Sequence, residues 1–305
     1  MDIWGFDIII DDIVFSDGMT QMGVLGGGGP QAAFGMRLWS NSVGLCASVG
    51  PDLPEFVLPW LKQMGISTQG ILAGEQPTPR AWQILEADGR RIQIWRIPPS
   101  AVASHLTHRV HRLPGIAAEQ GCHFGVDPLD VEFDFIEELK QLGALVSIET
   151  YTSASRRLSP DEISRLVSCA DVFSMNLEEA HSIFGSEHPE RIVQLTLEAG
   201  AKIVSLRLGE AGSVVADGAT GACWLIPAVN VEVVNPIGAG NAYCGGLLAG
   251  LINGDSLQDS AVRGAVSASF IVEHAGIPFL TPEIYEVAEK RFIEVRKMIE
   301  PIILY

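Results

Sequence analysis

The residues best suited to chemistry cluster in three short segments. The first is Val233-Val234-Asn235-Pro236-Ile237-Gly238-Ala239-Gly240-Asn241. It reads as a β-branched strand, a glycine turn and the start of a long helix of small residues. Glycine lets a backbone approach a ligand closely, and the free amides of a first helical turn bind an anion. Those are the requirements for holding a phosphoryl group in transfer; the same pattern also serves as a tight turn packing a small-residue helix. The second segment, Ser174-Met175-Asn176-Leu177-Glu178-Glu179, sets an amide and a carboxylate at a strand end and in the first helical turn. Such a pair manages Mg²⁺ through water, and it is equally a capping box. The third is Gly26-Gly27-Gly28-Gly29-Pro30-Gln31, again ahead of a helix. Gly27, Gly29 and Ala32 formally satisfy a dinucleotide fingerprint, but the preceding segment is not the first apolar strand and no ribose-binding acid follows in frame. No Walker A sequence occurs, which argues against a P-loop nucleoside triphosphatase.

Weaker candidates lie between these. Asp127 follows a strand and either faces a ligand hydroxyl or caps the next turn. Glu149 ends the next strand, at the edge where open α/β sheets bind ligands, and is a candidate proton acceptor. His105, His108 and His111 with Arg109 and Arg112 read as a solvated helix face. Trp82 and Trp95 flank Asp88-Gly89, a hairpin signal, and suit either ligand stacking or packing.

The elements that must position these residues follow from periodicity. Ile3 to Ile10 reads as one buried strand, Val43–Val49 as another, and Pro54–Met64 as a helix. Arg80–Leu85 and Arg91–Ile97 form a hairpin. Beyond them, strands at Cys122–Val126, Leu145–Ile148, Asp171–Ser174 and Ile203–Leu208 alternate with helices. Ser159-Pro160-Asp161-Glu162 is a capping box with proline at the first helical position. Val214-Val215 and Trp224–Ile226 add a short antiparallel pair, and helices run from Ala239 to Glu300. Alternation with short connections predicts a mostly parallel sheet with helices on both faces. We expect one domain over 1–305, with segments of roughly 13–25 and 69–97 forming a small β lid.

Composition limits the partners. The 305 residues carry 20 Lys plus Arg against 37 Asp plus Glu, a formal charge of −17. A field of that sign disfavours nucleic acid and anionic membrane but not a small anion held at a helix N-terminus. The five cysteines form no CxxC pair, consistent with a reduced cytoplasmic interior. The uncharged stretch from Val233 to Gly254 is interrupted by Asn235-Pro236, Asn241 and glycines, so it reads as a loop and buried helix, not a membrane span.

In order and spacing these segments resemble the PfkB family of carbohydrate kinases, the ribokinase-like group, over nearly the whole chain. The resemblance implies a three-layer α/β/α domain with a β lid, and an ATP- and Mg²⁺-dependent kinase acting on an alcohol of a sugar or nucleoside-like molecule. By resemblance Asp12, Gly27, Gly28 and Gln31 hold the acceptor, with Asp127 facing it. Gly238, Ala239 and Gly240 cradle the phosphoryl group, and Asn176 with Glu179 manages Mg²⁺, as in the family's NxxE motif. Ser48-Val49-Gly50-Pro51-Asp52 and Met64-Gly65-Ile66 match further family stretches. Arg207, Gly209 and Gly212 lie in the turn near the nucleotide, and Gly276 matches a glycine near adenine. A lid-mediated homodimer is also implied. Three positions depart from the pattern. Asn241 stands where the family has its catalytic aspartate, and an amide orients a hydroxyl without taking its proton. Asn235 replaces an aspartate that helps bind a monovalent cation, which argues against a K⁺ requirement. Gln31 replaces the usual asparagine. The competing expectations are a catalytically inactive sugar- or nucleotide-binding regulator on the same fold and a nicotinamide dehydrogenase.

Overall fold

The computed structural model describes residues 3–87, 91–106 and 120–304. Among the described residues the strands are β1 (Ile3–Phe6), β2 (Ile9–Val14), β3 (Thr20–Gly26), β4 (Val43–Val49), β5 (Ser67–Ala73), β6 (Arg80–Leu85), β7 (Arg91–Trp95), β8 (Gly121–Val126), β9 (Leu145–Thr150), β10 (Val172–Asn176), β11 (Ile203–Arg207), β12 (Ser213–Asp217), β13 (Cys223–Ile226) and β14 (Glu300–Ile302). The helices are α1 (Gly28–Trp39), α2 (Val57–Gln63), α3 (Pro99–Leu106), α4 (Phe133–Gln141), α5 (Pro160–Ser168), α6 (Leu177–Phe184), α7 (Pro189–Glu198), α8 (Ala239–Ile252), α9 (Leu257–Val272) and α10 (Pro282–Arg296).

A ten-stranded sheet has the order β14-β13-β12-β11-β10-β9-β8-β1-β4-β5. It is parallel from β5 across to β11 and antiparallel beyond. Strands buried on both faces need apolar residues at successive positions, which is why β8–β11 read as continuous runs. One face packs Phe34, Leu247, Val266 and Phe270 from α1, α8 and α9. The other packs Phe135, Leu139, Leu166 and Ile192 from α4, α5 and α7. There Phe6, Phe124 and Phe135 meet with centroids 5.2–5.6 Å apart. Truncating one such ring costs about 3–5 kcal/mol. The molecule is thus a three-layer α/β/α fold.

A second sheet, β3-β2-β6-β7, forms the lid. Four expectations change, on the lid and beyond it. Ile3 to Ile10 is not one strand: Asp7 adopts φ 71°, and the chain passes from the large sheet into the lid within two residues. Aspartate is among the few non-glycine residues that tolerate that region. The lid therefore starts at Ile9, and Ser67–Ala73, assigned in part to the lid, pairs with β4 in the large sheet. Finally, Val233 to Gly238 is a loop rather than a strand, with Val233 and Val234 exposed, and β14 closes an edge read as helical. The Asp88-Gly89 turn lies outside the described residues, but the strands it joins pair as a hairpin.

Candidate active site

The two glycine segments meet. Gly238 sits at φ 85° and caps α8 without a side chain; the Ala239 amide donates to the Pro236 carbonyl at 3.3 Å, and the Gly240 and Asn241 amides of the first turn are left open among the described residues. Gly27, at φ 83°, stands likewise before α1. A Cβ on Gly28 would lie 3.2 Å from Asn241 Oδ1, and one on Gly238 would lie 2.5 Å from Gln31 Cγ. The glycines permit this approach of α1 to α8; side chains there would separate the two turns. Along the same seam Gly35 abuts the Ala242 carbonyl and Gly245 the Ala32 carbonyl.

Beneath Gly240 lies a buried polar network. Arg207, at the end of β11, pairs with Glu149 Oε2 through Nη1, and its Nη2 is 3.4 Å from Glu179 Oε2. Glu149 Oε1 is 3.3 Å from His123 Nε2, and His123 Nδ1 is 3.0 Å from Ser147 Oγ. Burial opposes ionisation of Glu149, yet Arg207 and His123 hold its carboxyl at about 2. With one oxygen taken by Arg207 and the other facing His123, Glu149 is buried in this network and not open at the sheet edge where the proton-acceptor reading expects it. Arg207 is not presented to solvent as a nucleotide contact: it is 9% exposed.

Asn176 and Glu179 form a reciprocal capping box on α6, each side chain accepting from the other's amide at 2.8 Å. Glu179 Oε2 also accepts from Thr150 Oγ1 at 2.8 Å. Burial raises the Glu179 carboxyl, against the pull of Arg207 and the Asn176 amide. Among the described residues Oε1 takes no hydrogen bond, which leaves one oxygen for a metal-bound water. The capping and metal-managing readings are therefore compatible, and the residues present fit Mg²⁺ held through water.

On the lid two neighbouring aspartates occupy different surroundings. Asp12, expected to meet the acceptor, is fully buried in an ion cluster with Arg80, at 2.7 Å, and Arg96, and accepts from the Gly23 amide at 2.8 Å. These partners hold its carboxyl at about 2, against the desolvation of burial. Register places Asp12 on one lid face with Trp82 and Ile94, and Asp11 on the other with Ala81 and Trp95. Asp11, with Gln31, Asn235, His274 and Gly276, lines a small cavity under the lid. Asp11 accepts from Gln83 Nε2 at 2.9 Å, and burial lifts its carboxyl to about 6. The sequence reading missed it because two adjacent aspartates look alike until strand register assigns each a face. Gln31 is buried, and its Oε1 has no partner among the described residues. Gly276 also lines this cavity.

The remaining candidates play local roles. Asp127 Oδ1 accepts from the Leu129 amide at 2.9 Å, an Asx turn, not a helix cap. Asn235 Oδ1 closes a similar turn onto the Ile237 amide at 3.0 Å. Gly209 and Gly212, at φ 61° and 93°, fold β11 back into β12. Asp52 and Thr78 clamp the end of β4 to the start of the lid, with Thr78 N to Asp52 Oδ1 at 2.7 Å. His105 is buried, 2.8 Å from the Pro77 carbonyl, and not on a solvated face; His108, Arg109, His111 and Arg112 lie outside the described residues. His123 and Thr150, with Cys244 on α8, belong to the network under Gly240 and were not singled out from sequence. For the first two a signal was present: polar residues inside strands otherwise apolar on both faces.

This architecture is the ribokinase-like fold, and solved structures share it. Fructokinase from Vibrio cholerae, with fructose, ADP and calcium ion bound, superposes with TM-score 0.72 at 20% identity, covering 90% of this chain and 94% of that one. Aminoimidazole riboside kinase from Salmonella enterica gives 0.74 at 16%, covering 95% and 99%. The pfkB family carbohydrate kinase model matches residues 16–283, and the chain belongs to that family. Among its relatives, a cytidine kinase of Thermococcus kodakarensis is 26% identical over 277 residues, 88% of this chain and 95% of that protein. A 2-dehydro-3-deoxygluconokinase of Bacillus subtilis is 24% identical over 270 residues, 83% and 82% of the two chains. The protein is a phosphotransferase of the sugar and nucleoside kinase type. No helix among the described residues is long and apolar enough to cross a membrane.

Proposed function

We propose that this chain transfers the terminal phosphoryl group of ATP to a hydroxyl of a sugar or nucleoside-like molecule, slowed by the amide at 241. The observation that carries this reading is the junction of the two glycine turns. It sets open α8 amides and Asn241 beside a lid-side wall with the Asp11 carboxylate and the orphaned Gln31 oxygen. An unmet buried acceptor costs about 1–3 kcal/mol, so a ligand that donates hydroxyl protons to Gln31 and Asp11 removes that cost. The α8 amides receive the charge that develops on the phosphoryl oxygens. Asn241 orients the acceptor hydroxyl. Mg²⁺, managed at Asn176 and Glu179, neutralises phosphate charge when bound. In a loose transition state the hydroxyl proton leaves late, so a missing base slows transfer without forbidding it.

The test is acceptor-dependent ADP release from Mg-ATP, with neutral sugars, sugar acids and nucleosides, on wild type and Asn241→Asp. We expect measurable wild-type turnover and a gain of about 10²–10⁴-fold in kcat with aspartate, the usual worth of a general base. Activity in the aspartate variant alone would favour the binding or regulatory reading. Silence from both would sink the proposal.

We also propose that a second copy covers the outer lid face. Ile92 and Ile94 are 41% and 49% exposed there, beside the Asp12 ion cluster and Trp82, and the lid's edges offer strands for pairing.

A further inference from the structure

Resting on the phosphotransfer reading, we propose that Arg207 is a positioning residue that locks the phosphoryl cradle to the metal-managing helix. Three elements, β9, α8 and α6, converge on this one side chain at the end of β11. Nη1 meets Glu149 at the end of β9 and lies 3.4 Å from Cys244 Sγ on α8. Nη2 reaches Glu179 in the first turn of α6. Gly240 and Cys244 are one helical turn apart, so Arg207 spans the inner face of the first turn of α8. A Cβ on Gly240 would stand 2.6 Å from Nη1 and 3.5 Å from Glu149 Oε2.

The guanidinium suits this task because it is planar and forked, and so fixes two carboxylates at a set separation; lysine offers a point charge without that geometry. Burial adds stiffness, since an unpaired charge here is expensive and the pairings do not exchange with water. The cradle built on Gly238–Asn241 and the box built on Asn176 and Glu179 therefore shift together or not at all. Gly240 has a second role in this account: besides admitting a ligand, it leaves room for Arg207.

A double-mutant cycle tests this. The background variant is Arg207→Met with Glu149→Gln, which removes the charges together and limits the penalty of an unpaired one. Wild type, Gly240→Ala, the background and the triple variant are compared by kcat and by KM for Mg-ATP and acceptor. Removing one preorganised donor from an oxyanion site costs about 10²–10³-fold. We expect the background to lose about 10²-fold in kcat with both KM values within about threefold. Gly240→Ala should cost a similar factor in wild type but less than about threefold in the background, because the collision is gone. Equal costs in both contexts, a background kcat within about threefold of wild type, or a loss confined to Mg-ATP KM would each overturn the proposal. Amide hydrogen exchange across 238–242 supplies a readout independent of turnover. Faster exchange in the background supports the lock, and unchanged exchange overturns it, even if the wild type phosphorylates nothing in the panel and the functional reading itself fails. Should the background not fold, Arg207→Lys must show the same pattern at reduced size; wild-type kinetics and exchange there would count against it.

Discussion

At the scale of single residues, register and burial decide between neighbours of identical chemistry. Asp11 and Asp12 are both buried carboxylates, yet one is held at about 2 by two arginines and the other is lifted to about 6. For Asp11 this has a defined pH consequence. Between about pH 4 and 6 the native state keeps a proton that the unfolded chain releases, so stability falls as pH rises through that window. Above about 6 the buried charge is present, at a cost of about 3 kcal/mol for a shift of this size. Asp11→Asn is therefore expected to match wild type below pH 4 and to exceed it at pH 8 by up to about 3 kcal/mol, as measured by urea unfolding, while weakening acceptor binding. A higher wild-type stability at pH 8 would contradict this account. The motif residues themselves were legible in sequence: Asn176 and Glu179 as a capping box and Gly238–Asn241 as a turn into a helix depend on contacts within a few positions. Gln31's orphaned oxygen and Arg207's two partners were not legible, because those partners lie on other elements.

At the scale of elements, α1, α8 and α9 pack through small residues. That seam, more than any single catalytic side chain, brings the two glycine turns together. Alanine for glycine in a helix interior ordinarily stabilises by about 0.5–1 kcal/mol. At Gly35 the sign should reverse, because the added carbon meets the Ala242 carbonyl. Overpacking of this kind costs about 1–3 kcal/mol, so Gly35→Ala should lower the melting temperature by several degrees and depress kcat; a rise in Tm would refute the seam's tightness. Element identity was largely readable from periodicity, as the agreement at β4, β6, β8 and α5 shows. Failures came where hydropathy carries no conformational information. A continuous apolar run hid the left-handed residue at Asp7. Val233 and Val234 have strand-like side chains but no strand to pair with, and β14 is short enough to vanish behind the helix before it.

At the scale of the whole molecule, the outer lid face carries exposed Ile92 and Ile94 on a chain of net charge −17. Charge repulsion alone would keep copies apart, so association must come from apolar burial. Sedimentation should show a dimer that Ile92→Glu with Ile94→Glu converts to monomer; a monomeric wild type at micromolar concentration would remove the interface. The lid's attachment has a separate consequence. Two of its links to the large sheet are short: one runs from β1, an interior strand, through Asp7 and Ile8, and the other returns through Gly26 and Gly27 to Gly28, beside Asn241. Any swing of the lid must flex both, and the second leads into the paired glycine turns. A substitution that stiffens the second link is therefore expected to be felt at Asn241 as well as in the lid.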